Sequence, residues 1–102
     1  MQERPLYVVR YEVQPLPGTD NFAHSSGAFV NVWTEATSEQ QALAVAAQEV
    51  QGAGWRIESL EAVHPTSRED YADDGSGLEY FEQALIDGIV LVFHTWQEGT
   101  QH

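Results

Sequence analysis

The sequence contains no cysteine and no lysine. The first absence excludes disulfides, thiolate metal sites, iron–sulfur clusters and cysteine nucleophiles. The second leaves four arginines as the only fixed cations, against 16 acidic residues, for a net charge of −12. Long apolar runs are missing as well, and none approaches the ~20 residues of a membrane-spanning helix. Met1-Gln2-Glu3-Arg4-Pro5 has neither the basic start nor the apolar stretch of a secretory leader. These absences predict a cytoplasmic protein with no membrane partner.

What is present is enough for a core. Hydrophobic residues make up 42% and aromatics 11% of 102 residues, a composition that folds rather than staying disordered despite its charge. One acidic domain spanning residues 1–102 is expected, with one core. Its negative field repels nucleic-acid phosphates, so direct nucleic-acid binding is not expected, and it speeds encounter with a basic protein. The plainer reading of the same charge is solubility.

Alternation with a period of two marks Leu6 to Val13 as a strand, Tyr7, Val9, Tyr11 and Val13 sharing one face. Gln14 to Gly27 is rich in breakers and reads as a long loop. Ala28 to Glu35 alternates again and should pair antiparallel with the first strand. Ser38-Glu39-Gln40-Gln41 matches a capping box and opens a helix with the stripe Leu43, Ala46, Ala47 and Val50, ended by Gly52 or Gly54. Trp55 to His64 reads as a third strand. Ser67-Arg68-Glu69-Asp70 is a second capping box, interrupted by Gly75-Ser76-Gly77. A helix from Leu78 to Asp87 follows, with Leu78, Phe81, Ala84 and Leu85 inward and Gly88 as its stop. Ile89 to Trp96 is apolar on both faces at first, which predicts a central strand.

The order is β-β-α-β-α-β, an α+β class. Right-handed strand–helix–strand crossovers predict a two-layer α/β sandwich: a four-stranded mixed sheet with two helices on one face. In its set of elements this resembles the ferredoxin-like sandwich, whose order is instead β-α-β-β-α-β, and no family is assigned.

Two groups of residues carry the functional expectations. Glu69, Asp70, Asp73, Asp74, Glu79, Glu82 and Asp87 put seven of the sixteen acids into 19 residues without a basic residue among them. Such a run imitates a row of phosphates and suits a basic groove, or it is an ordinary solvated helix face. Part of it crowds carboxylates around glycines as calcium loops do. Counted from Asp70, however, Ala72 and Phe81 fall on ligand positions three and twelve, so no metal is expected.

The second group lies on one sheet face: Arg10, Phe29, Asn31, Trp33, His94 and Trp96, beside Val8 and Val92. It is too aromatic for plain exposure, which predicts a homodimer surface first, a partner or small-ligand surface next, and a third packed layer last.

Catalytic signals are sparse. The four histidines lack metal-ligand spacing, no G-x-S-x-G elbow occurs, and the glycine clusters lack phosphate-loop and dinucleotide signatures. His94 with Glu35 or Glu12 is the least unfavourable acid–base pair. The expectation is therefore a non-enzyme without cofactor. It would be an acidic protein-binding module, of inhibitor, immunity or nucleic-acid-mimic type, that occludes a basic partner. Bacterial immunity proteins and nucleic-acid mimics resemble the chain in size and acidity. The alternative is a self-associating, homodimeric small-ligand-binding domain using the aromatic face.

Overall fold

The structure is a computed structural model that describes residues 5–18 and 27–96. Most of the Gln14 to Gly27 loop, His24, His102 and the side chain of Trp96 therefore lie outside the described part. Strands β1 (Leu6–Pro15) and β2 (Gly27–Glu35) pair antiparallel, setting Val9 opposite Val32 and Tyr11 opposite Val30. The alternation seen in the sequence thus delivers a β-branched pair and an aromatic–β-branched pair to one face.

Ser38 opens helix α1 (Glu39–Gly52) by accepting the Gln41 N–H at 3.1 Å. The Gln41 side chain reaches back to the Thr37 N–H at 2.6 Å, satisfying a second donor near the helix start. The helix closes through Ala53 and Gly54, whose φ of 95° is a left-handed turn that suits glycine. Strand β3 (Trp55–Thr66) returns antiparallel to β1 with two bulges. A 3-10 turn (Arg68–Tyr71) leads into helix α2 (Gly75–Asp87), and β4 (Ile89–Trp96) pairs antiparallel with β2.

The α+β class and the β-β-α-β-α-β order stand as expected, and the strand order is β3-β1-β2-β4. Three details differ. The sheet is antiparallel throughout rather than mixed. The α1 crossover does join two strands of like direction, β2 and β3, but it steps over β1. With β1 inserted between them, and β4 running opposite to both β2 and β3, every hydrogen-bonded neighbour runs the opposite way. Next, β4 is an edge strand, not a central one.

The third difference matters most for the site. The helices cover opposite faces, so the fold has three layers where α2 lies. On one face Val9, Tyr11, Val13, Val30 and Val32 pack with Ala42, Ala46 and Val50 of α1. On the other, Leu6 and Trp33 pack with Phe81 and Ala84 of α2, joined by Val8, Val90 and Val92. Coverage from both sides explains why β4 is apolar on both faces although it sits at an edge. Phe81 is 1% exposed, and burial of such a ring stabilises by about 2–3 kcal/mol. On the α1 face Trp55 of β3 and Phe93 of β4 stack with centroids 5.1 Å apart, so side chains from the two edge strands touch. Among the described residues, no helix is long and apolar enough to cross a membrane.

Candidate functional site

The seven acids predicted as a partner surface fall on one structural unit, the 3-10 turn with α2, and all are exposed. Several also build the unit. Asp70 accepts the Ser67 N–H and the Thr66 hydroxyl, each at 2.9 Å, which closes the capping box foreseen at Ser67. Those bonds, the backbone one first, with help from the His64 charge, hold its carboxyl below the usual aspartate range. Asp74 is the N-cap of α2, accepting the Gly77 N–H at 3.0 Å. The carboxylate–glycine pattern that resembled a cation loop therefore serves chain capping, and the helix starts at Gly75 rather than at Leu78.

Glu82 pairs with Arg68 at 2.6 Å, whose guanidinium also lies 5.5 Å from the Phe81 ring centroid. Asp87 accepts from the Gln83 amide at 2.5 Å, and Glu69 from the Ser67 hydroxyl at 3.4 Å. Asp73 and Glu79 complete the surface. Glu82 is thus drawn onto an arginine, while all seven acids remain exposed.

The sheet face divides in two beneath α2. Trp33 belongs to the covered half: it is 6% exposed, its indole N–H donates to the Tyr71 hydroxyl at 2.8 Å, and its ring lies 5.3 Å from that of Tyr80. Its size signalled a packed layer rather than an open patch. Arg10, Phe29 and Asn31 remain half-buried and His94 exposed. Across the strands Arg10 stands opposite Asn31, and Phe29 opposite His94. The Arg10 guanidinium sits 4.5 Å above the Phe29 ring. Trp96 ends β4 opposite Gly27.

Where the covered and open halves meet lies a cleft of about 360 Å³, lined by Asn31, Trp33, Asp74, Ser76, Gly77, Tyr80 and His94. Strand parity alone groups Asn31, Trp33 and His94. Ser76, Gly77 and Tyr80 carry no such signal, because the Gly75-Ser76-Gly77 run reads as a turn. Gly77 is needed there: a Cβ would stand 2.6 Å from Asp74 Oδ2 and 2.7 Å from Tyr71 Cδ1. A second hollow, about 340 Å³, is lined by Pro5, Glu35, Ala36, Thr37 and Gln41 at the start of α1.

The candidate acid–base pair does not assemble. Glu12 and His94 both stand opposite Phe29, from β1 and β4 respectively, which separates their backbones by two strand spacings, about 10 Å. Glu35 lies at the far end of β2, against Leu6. Among the described residues no three histidine or acidic side chains gather as metal ligands do. Compared with protein-family models, with curated proteins and with solved structures, the chain matches none.

Proposed function

We propose that this chain is an acidic protein-binding module of the inhibitor or immunity type, acting in the cytoplasm, which neutralises a basic partner. The observation that carries the reading is the gathering of seven exposed carboxylates on one turn–helix unit. A net charge of −12 steers a cationic partner over distances comparable with the Debye length, about 8 Å at physiological salt. Asp70 and Asp74 are fixed by backbone hydrogen bonds, so part of the surface needs no ordering on contact. The module would dock α2 and the 3-10 turn into a basic groove and occlude it.

The test is capture at low salt, identification of the retained basic protein, and measurement of its binding in purified form. Glu69→Lys, Asp73→Lys and Glu79→Lys are combined, leaving the caps Asp70 and Asp74 intact. Loss of at least about tenfold in association rate is expected, since rim charges act on encounter. An unchanged rate and affinity removes the proposal.

The open half of the sheet face favours a second reading, a self-associating small-ligand domain, because Arg10, Phe29 and Asn31 stay half-buried beside an exposed His94. Sedimentation of the wild type and of Phe29→Ala separates the two. A dimer that Phe29→Ala dissociates and that survives high salt supports the second reading; a monomer at all salt concentrations removes its self-association.

A further inference from the structure

We propose that the cleft under the first turn of α2 seats one cationic side chain, a lysine or arginine, of the protein partner. The proposal rests on the reading of a basic partner and adds the place where that partner is recognised. At about 360 Å³ the cleft lies near the lower end of ligand sites, which run from ~300 to ~1,000 Å³. That is room for one long side chain rather than for a cofactor.

Its walls select charge. Trp33 and Tyr80 form an aromatic corner, their rings 5.3 Å apart and tilted by 38°. Because the Trp33 indole N–H is engaged by Tyr71, it is not left to oppose a cation in the cleft, and aromatic rings attract ammonium and guanidinium groups. At the mouth stands the exposed Asp74 carboxylate, oriented by the Gly77 N–H at 3.0 Å and able to accept further hydrogen bonds. Asn31 and Ser76 add side-chain oxygens within reach of the same space.

A helix start ordinarily invites an anion. Here the N-cap is itself a carboxylate, with Asp73 beside it. Together with the net charge they repel anions and draw cations. The outer carboxylates supply attraction at a distance, and the cleft supplies register.

The test follows the Trp33 indole N–H and Tyr80 ring resonances by NMR. N-acetyl-arginine amide and N-acetyl-lysine amide are the probes, with N-acetyl-glutamine amide and sulfate as controls. Saturable shifts with the cationic probes are expected, at least about fivefold weaker in Tyr80→Leu and abolished in Ser76→Lys, which places a tethered ammonium at an exposed position beside the cleft. Equal shifts with the glutamine analogue, shifts with sulfate in place of the cations, or no shift at all overturn the proposal. Ser76→Lys must also weaken binding of the captured partner. If it does not, while the Glu69/Asp73/Glu79 reversal does, the cleft assignment is wrong and the surface reading stands. If the arginine probe titrates Trp33 but that reversal leaves partner binding untouched, the surface reading fails and the seat stands.

Discussion

The indole N–H of Trp33 donates to the hydroxyl of Tyr71 at 2.8 Å, tying a central strand to the turn that delivers α2. The Thr66 hydroxyl lies 2.7 Å from the same Tyr71 oxygen. One phenol thus joins β2, the end of β3 and the third layer. Tyr71→Phe leaves the buried indole donor without its acceptor, a loss of about 1–3 kcal/mol. Urea unfolding checks this; a midpoint within error of wild type shows that the bond contributes nothing.

Gly77 should respond to alanine in the opposite direction from Gly75 and Gly52. At Gly75 and Gly52 an added Cβ meets open space, whereas at Gly77 it meets the capping carboxylate of Asp74 and the Tyr71 ring. Gly75→Ala and Gly52→Ala should each raise stability by about 0.5–1 kcal/mol, and Gly77→Ala should lower it. Thermal unfolding of the three variants decides the matter, and a stabilised Gly77→Ala contradicts the packing described.

Acid should act through Asp70. Its folded carboxyl is held below the usual range by the Ser67 N–H, the Thr66 hydroxyl and the His64 charge. A depressed folded value means that the ionised cap stabilises above the unfolded value, and that this contribution fades as pH falls through the folded one. Asp70→Asn should therefore be less stable than wild type near neutrality and converge with it in acid. Thermal scans from about pH 7 to about pH 2 measure the gap, and a constant gap contradicts the assignment.

Alkali should act through Tyr11, whose hydroxyl donates to the Leu43 carbonyl at 3.2 Å and whose ionisation is pushed up by burial. A raised folded value gives a contribution fully present below the unfolded value of about 10 and lost as pH rises through the folded one. Tyr11→Phe should remove this component, so the stability gap between wild type and variant shrinks above about pH 10. Parallel curves through that range contradict it.

The elements themselves were largely legible in the sequence, because period-two alternation in β1 and β2, the Ser38 box and the Gly88 stop are local signals. Sidedness and pairing were not. The stripe of α2, with Phe81 and Ala84 at its centre, fits either face of a sheet; what decides is a connection leaving the β3 edge and the apolar set Leu6, Val8, Trp33 and Val92 waiting on the far side. Val8, Trp33 and Val92 are legible as one aromatic, apolar face, but their pattern suits an association surface as well as a third layer and does not rank the layer first. Antiparallel pairing throughout needs β1 standing between β2 and β3 and β4 joining β2 in the opposite direction, non-local facts that crossover rules leave open. At the site, parity grouped Asn31, Trp33 and His94. The contribution of α2 was hidden because Gly75 and Gly77, breakers by composition, lie within a first turn capped by Asp74.

Both functional readings of α2 require it to lie across the second face of the sheet, with its acids outward and Tyr80 against Trp33. The most direct measurement is the nuclear Overhauser contact between the Trp33 indole and Tyr80 ring protons, whose centroids are 5.3 Å apart. Strong cross-peaks between these rings, together with slow exchange of the Trp33 indole N–H, are predicted. Absence of the cross-peaks with rapid exchange of that proton would place α2 elsewhere and contradict the account.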